Sequence, residues 1–360
     1  MRVPFLDLRR GGAALDEALR EAFDRVLESG TYILGPEVER FERACSERLG
    51  VRHAIGVSSG TDALLVALMA LEVGPGDEVI VPTYSFFATA GVVARLGARP
   101  VFVDVREDDF GMDADAVAAA IGPRTRAVVP VHLFGQCADV DAIARAAGSV
   151  PVIEDAAQAF GARYRGRAAG GLGVAACFSF FPAKNLGALG DAGLVTTDDD
   201  ALAAKIRRLR VHGAEPKYHH HVVGGNFRLD PLQAALLSVK LAHLDAWTQA
   251  RRAHAAFYDA ALVSRVTTPR ALEGRFHVYN QYVVRVASRD AVRAALAADG
   301  VETMVYYPRP LHLQPCFAQG ARGRFPVAEA LAESSLALPV FPELRQDERA
   351  HVARTLLAHA

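Results

Sequence analysis

The chain is poor in lysine. Only four of its 40 basic residues are lysines, and arginine supplies the rest. A lysine at a given position is therefore more informative here than in an average sequence. Three of the four lie in polar helical or loop patterns, whereas Lys184 follows the apolar stretch Cys177–Phe181. This context indicates an amine that is buried or lines a cleft.

The sequence also lacks a large net charge and a long apolar run. Its 40 basic and 41 acidic residues give a formal net charge of −1, so no overall field attracts nucleic acid or an acidic membrane. No run of about 18 apolar residues occurs, and the N-terminus has no apolar segment like that of a signal peptide. We expect no nucleic-acid partner, no membrane partner and a cytoplasmic location.

Cysteine is scarce as well. The four cysteines are far apart and form no Cys-x-x-Cys pair, which argues against a zinc ribbon or a disulfide framework. A catalytic thiol has no supporting motif. The run His219–His221 has no Glu-x-x-His or spaced cysteine near it, and adjacent side chains of an extended loop point in different directions. We therefore expect no metal site.

Short apolar runs alternate with alanine-rich amphipathic stretches between positions 51 and 197. This pattern predicts an α/β fold with a mainly parallel, seven-stranded sheet between helices. The predicted strands are Ala54–Val57, Glu78–Val81, Pro100–Val105, Ala127–Val131, Val150–Glu154, Ala176–Phe180 and Leu194–Thr196. The predicted helices are Thr61–Leu71, Phe86–Leu96, Ala114–Ile121, Val140–Ala147 and Ala201–Leu209.

A length of 360 residues predicts two domains, since one domain usually has roughly 100–200 residues. An almost uninterrupted helical pattern over 230–262 predicts a long helix that joins a large domain, 1–240, to a smaller C-terminal α+β domain, 241–360. We assign the N-terminal segment 1–30 to the large domain. The small domain contains a strand-like stretch, a helical pattern and a proline-rich stretch: Val278–Val286, Asp290–Ala298 and Pro308–Pro315.

Lys184 has two interpretations. Burial lowers the pKa of a lysine and frees its amine for imine formation, as in enzymes that bind pyridoxal phosphate. A lysine at a strand end can instead extend its charged end into solvent. The local sequence favours neither, so the other groups of a cofactor site decide between them.

Candidates exist for every group that pyridoxal phosphate needs. Asp155 follows a buried strand, where a carboxylate can hold the proton of the cofactor's ring nitrogen, although it could also cap a helix. The stretch Ser58–Asp62 opens a helix and suits a phosphate, although such a stretch is more often an ordinary cap. Ser179 could add a hydroxyl there. Phe86 could lie flat on the ring, although alone it is more often a core residue.

A glycine-rich stretch, Gly171–Ala176, loosely matches the dinucleotide-binding fingerprint. It precedes a predicted strand, whereas that fingerprint must open a helix. We therefore reject a Rossmann dehydrogenase.

Taken together, these segments resemble the DegT/StrS family of nucleotide-sugar aminotransferases, within fold type I of pyridoxal-phosphate enzymes. The resemblance runs nearly from end to end, and it is specific because several motifs occur in the family's order. They are Pro4–Leu8, Tyr32–Glu37, Gly60–Leu64, Glu154–Gln158, Ser179–Lys184, Gly225–Asp230 and Tyr307–Pro308.

The resemblance implies a role for each of these residues. Lys184 would be the catalytic Schiff-base lysine. The other cofactor-binding residues would be Gly60, Thr61, Phe86, Asp155, Gln158, Ser179 and Asn226, the last from the neighbouring subunit. The substrate-binding residues would be Gly30, Tyr32, Arg228, Tyr306 and Tyr307, with Arg228 also crossing the interface. The resemblance thus implies a homodimer with shared active sites, a nucleotide-linked keto sugar as substrate and glutamate as amino donor.

Within the family, the sequence is most similar to members that aminate 3-keto sugars, through Lys217–His220 and Asn226–Ala235. Ala183 and Tyr306 stand where members acting on a 3-keto uronate carry serine and histidine, which favours a deoxy or neutral hexose. Two alternatives remain. Sugar dehydratases of this fold carry histidine where this chain has Lys184, which favours transamination. A non-catalytic regulator would need a DNA-binding segment, and the sequence contains neither a helix-turn-helix module nor a basic patch.

Overall fold

The structure, a computed structural model, describes residues 1–12, 15–318, 320 and 323–360. Its strands are β1 His53–Val57, β2 Glu78–Pro82, β3 Arg99–Val103, β4 Thr125–Val128, β5 Ile153–Asp155, β6 Arg163–Tyr164, β7 Arg167–Ala168, β8 Ala175–Ser179, β9 Gly193–Thr197, β10 Arg275–Phe276, β11 Tyr282–Arg285 and β12 Ser335–Leu338. Its helices are α1 Leu8–Gly12, α2 Asp16–Ser29, α3 Pro36–Leu49, α4 Gly60–Ala70, α5 Ala88–Arg95, α6 Ala114–Ala120, α7 Val140–Ala147, α8 Asp200–Leu209, α9 Pro231–Leu241, α10 Leu244–Leu262, α11 Arg289–Ala298, α12 Pro326–Ser334 and α13 Gln346–His359.

The central sheet has the predicted seven strands. Hydrogen bonds give two groups, β1-β9-β8-β5 and β3-β2-β4. Parallel bridges from Val128 to Val152 and from Val131 to Asp155 place β4 beside β5. The strand order is therefore β3-β2-β4-β5-β8-β9-β1, and only β9 runs antiparallel to its neighbours. The predicted fold class is confirmed.

Both faces of this sheet are buried, because successive residues of a strand point to opposite faces. In β2, Val79 and Val81 belong to the core that contains α4 and α5. Ile80, between them, belongs to the core that contains α6 and α7. Such strands consist of continuous apolar runs, which is why the sequence reveals them.

The long helix predicted over 230–262 is wrong. The chain forms α9 and α10 with a turn at Ala242 and His243. The two helices continue into different cores: α9 contributes Leu237 to a core of the large domain, whereas α10 begins in that core with Leu244 and contributes Tyr258 to the core of the small domain. The turn lets each helix follow its own core, although the apolar periodicity continues through it.

The small domain contains the antiparallel pair β11-β12 with α10, α11 and α13. The predicted strand Val278–Val286 begins only at Tyr282, because the preceding backbone bonds to another loop: the amide of Val278 donates to the Gly135 carbonyl at 2.9 Å. Val3 is buried in the small-domain core, although we assign its segment to the large domain. The domain boundaries stay a prediction.

In the described residues, no helix is both long and apolar enough to cross a membrane.

Candidate active site

Asp155 ends β5 at the carboxyl edge of the sheet, where open α/β sheets bind ligands. Its side chain is buried, and both of its oxygens accept hydrogen bonds. Thr89 Oγ1 donates to Oδ2 at 2.7 Å, and the Ala157 amide donates to Oδ1 at 3.2 Å. Burial raises the pKa of Asp155, while these two bonds and the charges of Lys184 and His132 oppose the rise.

Lys184 lies in the turn that follows β8, the strand paired in parallel with β5. The Lys184 amide donates to the Phe181 carbonyl at 2.8 Å, which fixes the backbone of this turn. Burial lowers the pKa of the Lys184 amine to about 8, and the nearby Asp155 carboxylate limits the fall. The uncharged fraction of this amine near neutral pH is therefore far larger than that of an ordinary lysine, whose pKa is 10.5.

The N-terminus of α4 forms a cradle with Ser179 on β8. Ser59 caps the helix by accepting a hydrogen bond from the Asp62 amide at 3.0 Å. Gly60 follows, and a Cβ on it would lie 2.5 Å from Ser179 Cβ, so only glycine allows the two segments to approach so closely. The first-turn amides, including that of Thr61, have no partner within the helix and can bind an anion.

Gln158 is buried beside Asp155 and is held at both ends. Its Oε1 accepts a hydrogen bond from the Phe134 amide at 2.6 Å, and its Nε2 donates to the Tyr307 hydroxyl at 3.0 Å. The Tyr307 ring lies 6.3 Å from that of Phe86, which precedes α5 and is 56% exposed. An exposed aromatic ring beside buried polar groups suits a planar ligand.

Tyr306 and Tyr307 are positioned by a residue that the sequence analysis missed. Tyr84 is fully buried, and its hydroxyl donates to the Tyr306 carbonyl at 2.5 Å and accepts from the Tyr307 amide at 3.0 Å. Thr89 was missed as well. Neither belongs to a motif that separates it from ordinary core residues, so the sequence alone carries no signal for them.

The backbone of Asn226 and Arg228 runs beside the cradle. Among the described residues, neither side chain forms a hydrogen bond to another residue of the site. The Ser58 amide donates to the Phe227 carbonyl at 3.0 Å, which fixes this segment beside β1. Asn226 is exposed, and Arg228 is half-buried with an unpartnered Nε. The Asn226 side chain is therefore available to groups outside the chain, whereas the Arg228 Nε is buried.

Gly30 and Tyr32 are separate from the cluster around Asp155. Gly30 ends α2 with a φ of 63°, which favours glycine. The side chain of Tyr32 is 50% exposed, and its hydroxyl donates to the Leu27 carbonyl at 3.2 Å. Among the described residues, no side-chain hydrogen bond joins either of them to Lys184.

The glycine-rich loop before β8 has a structural role. Its amides at Gly170, Leu172 and Gly173 donate to the buried Glu154 carboxylate at 2.7–2.9 Å. His132 Nε2 lies 2.9 Å from the same carboxylate. The loop thus wraps a side chain of β5, which agrees with our rejection of a dinucleotide fingerprint.

The histidine run forms part of an exposed hairpin. His220 and His221 lie 2.9 and 2.6 Å from the backbone carbonyls of His212 and Glu215. In the part of the chain that the structure describes, no group of three or more histidine, cysteine or acidic side chains could hold a metal ion.

The residues fit pyridoxal phosphate. The close approach of Gly60 to Ser179 leaves backbone amides for a phosphate, and Asp155 is an acid that accepts further hydrogen bonds. Lys184 supplies an amine whose lowered pKa suits imine formation. Residues 13–357 match the model of the DegT/DnrJ/EryC1/StrS aminotransferase family. The chain belongs to this family.

Similar proteins cover nearly the whole chain. The pleiotropic regulatory protein of Geobacillus stearothermophilus is 49% identical over 99% of this chain and 98% of its own. The UDP-N-acetyl-3-dehydro-alpha-D-glucosamine 3-aminotransferase of Acidithiobacillus ferrooxidans is 46% identical over 98% of this chain and 97% of its own. The crystal structure of Streptomyces venezuelae DesV, in complex with a ketimine intermediate, has a TM-score of 0.96 at 44% identity and covers 99% of this chain and 97% of DesV. The predicted family and the predicted aminotransferase class are confirmed.

Proposed function

We propose that this family member uses pyridoxal phosphate to transfer an amino group from glutamate to a nucleoside-diphosphate-linked 3-keto sugar. One observation carries the proposal. Asp155 ends β5 and Lys184, with its lowered pKa, lies in the turn after the neighbouring parallel strand β8, beside a cradle suited to phosphate.

Each cofactor-binding role falls to a residue of this chain. The amides of Gly60 and Thr61 and the hydroxyl of Ser179 would hold the phosphate, and Phe86 would lie against the ring. Asp155 would hold a proton at the ring nitrogen, and Gln158 would contact the ring hydroxyl. When bound, pyridoxal phosphate withdraws electrons from the carbon that carries the amino group.

Lys184 Nζ has two tasks, to anchor the cofactor and to carry a proton. An amine with a pKa of about 8 can both accept and return a proton near neutral pH. General acid–base groups of this kind contribute about 10²- to 10⁴-fold to a rate. The same atom would take the α-carbon proton of the amino donor and pass it to the cofactor in the first half of the reaction, and would carry a proton from the cofactor to the sugar carbon in the second.

Two observations support the keto-sugar substrate: the names of the relatives and the residues at the edge of the site. The Acidithiobacillus relative is named as a 3-aminotransferase of a UDP-linked 3-dehydro sugar. Arg228 is half-buried, and its guanidinium is the type of group that binds the phosphates of a nucleotide. We propose that Arg228 and Asn226 act on the site of a second subunit in a homodimer. Gly30, Tyr32, Tyr306 and Tyr307 would line the sugar pocket.

A regulatory role is the second candidate, because the Geobacillus relative is named a regulatory protein. It predicts that the Lys184→Ala variant keeps the biological effect of the wild-type protein in a deletion strain. Loss of the effect together with loss of transamination would assign it to the enzyme.

The first test is the absorbance spectrum of the protein with pyridoxal phosphate, before and after addition of glutamate. We expect a cofactor band in the visible range that moves to the near ultraviolet with glutamate. A panel of nucleotide-linked 3-keto and 4-keto sugars should then restore the first band, the 3-keto sugars fastest. No bound chromophore would contradict the cofactor assignment, and equal rates with both sugar classes would contradict the 3-keto preference.

A further inference from the structure

Thr89 is a buried polar residue next to the candidate acid. It is the second residue of α5, and its relative exposure is 0%. Its hydroxyl lies 2.7 Å from Asp155 Oδ2 and 3.0 Å from the hydroxyl of Ser85, which is also buried. Helical threonines often bond to the carbonyl four residues earlier. Thr89 instead contacts a side-chain oxygen four residues earlier and a carboxylate on the sheet.

The direction of these hydrogen bonds follows from the charge of Asp155. An ionised carboxylate can only accept, so Thr89 must donate its single hydroxyl hydrogen to Oδ2. The Ser85 hydroxyl must then donate to Thr89. The result is a short chain in which every bond points toward Asp155, an arrangement in which each bond polarises the next.

This chain opposes the effect of burial on Asp155. Burial favours the neutral acid, whereas a hydrogen bond donated to the carboxylate favours the charged form. The other ionisable groups acting on Asp155 are Lys184, His132, Tyr307 and Cys177. Of these, Lys184 would no longer be a free ammonium group near Asp155 once it anchors the cofactor. Thr89 would then be a donor that remains.

We propose that Thr89, supported by Ser85, is a positioning residue that keeps the Asp155 carboxylate ionised and fixes Oδ2 in place. The remaining lone pairs of the Asp155 carboxylate are then free for the ring nitrogen of the cofactor. This inference rests on the proposed function.

The test compares four variants as apo proteins titrated with pyridoxal phosphate over a pH series. Thr89→Val removes the hydroxyl but keeps the shape, and Thr89→Ser restores it. Ser85→Ala removes only the outer donor. Thr196→Val is the matched control, since Thr196 is equally buried and its hydroxyl donates to the Gly170 carbonyl at 2.7 Å, away from Asp155.

We expect Thr89→Val to raise the Kd for pyridoxal phosphate roughly tenfold or more, as for loss of one hydrogen bond to a charged group. Asp155 must be ionised to hold the ring proton, so affinity falls as the pH drops through its pKa. Without the donor that pKa is higher, and the fall should begin at a higher pH. Thr89→Ser should follow the wild type, Ser85→Ala should shift the profile in the same direction by less, and Thr196→Val should not shift it.

A wild-type Kd and pH profile in Thr89→Val would overturn the inference and leave the proposed function standing. Equal weakening by Thr89→Val and Thr89→Ser at every pH would also overturn it, because packing and not the hydroxyl would then matter. Failure of the wild type to bind pyridoxal phosphate would instead remove the proposed function and this inference with it. If Thr89→Val does not fold, the absence of any shift in Ser85→Ala decides against the inference.

Discussion

The two halves of the candidate site differ in how their side chains are held. Around Asp155, Gln158 and Thr89, each polar group has partners within the chain, and burial is nearly complete. Asn226 and Tyr32, in contrast, are exposed. The first half is ordered before any ligand arrives, as suits catalysis, whereas the second is arranged for contact with other molecules. In the proposed site, a single chain would thus supply the acid and the amine, and the exposed side chains would be left for contacts with substrate and a second subunit.

Removing the amine of Lys184 should have the largest effect on the buried half of the site. Lys184→Ala should lower kcat for sugar amination by about a thousandfold or more, since both the anchor and the proton carrier are lost. Steady-state assays with the preferred keto sugar measure the effect. Lys205→Ala is the control, because that lysine pairs with Glu72 at the surface. Near-normal turnover in Lys184→Ala would contradict the proposed mechanism.

The open half is tested by Arg228→Ala. Loss of a charge-assisted hydrogen bond should raise KM for the nucleotide sugar by about ten- to a hundredfold, while the reaction with glutamate stays near the wild-type rate. Mixing this variant with Lys184→Ala under subunit exchange should restore turnover with the wild-type KM, because one site of the mixed dimer then has both Lys184 and Arg228. No restoration in exchanged dimers would argue that both residues serve the same subunit's site.

The cradle offers a steric test. Gly60→Ala should weaken the binding of pyridoxal phosphate by about tenfold, because the new Cβ would lie 2.5 Å from that of Ser179 and overpacking costs about 1–3 kcal/mol. Isothermal titration measures the affinity. Ser179→Gly in the same chain removes the clash and should recover part of it. Since Ser179→Gly also removes a proposed phosphate ligand, the single Ser179→Gly variant is the reference. If Gly60→Ala weakens binding by the same factor with Ser179 and with Gly at position 179, the clash does not explain the loss.

The smallest effect concerns pH. The neutral amine of Lys184 forms the bond to the cofactor, so its rate of reaction with pyridoxal phosphate should rise with pH and level off above the pKa of about 8. Stopped-flow absorbance of the apo protein measures this profile. A midpoint near the ordinary lysine value of 10.5 would show that burial does not act on this amine as we argue.

The sequence reveals the structure where local pattern and tertiary packing agree. Strands such as β2 are apolar throughout because both faces are covered, so their positions could be predicted. The turn at Ala242 and His243 could not, since only the packing of α9 and α10 against separate cores requires it. The motif around Lys184 is recognisable from the amino-acid sequence alone. Thr89 is not, because its importance depends on a strand 66 residues away.

Glu154 and Asp155 are adjacent acids with opposite fates. The pleat of β5 directs one into the amides of the glycine-rich loop and the other toward α5. A slip of this strand by one residue would place Glu154 where Asp155 lies and Ile153 under the loop, or Asp155 under the loop and Ala156 toward α5. The three loop amides that donate to Glu154 therefore oppose such a slip of β5. Glu154, which the loop holds away from the candidate site, thus helps to determine that Asp155 is the carboxylate available for chemistry.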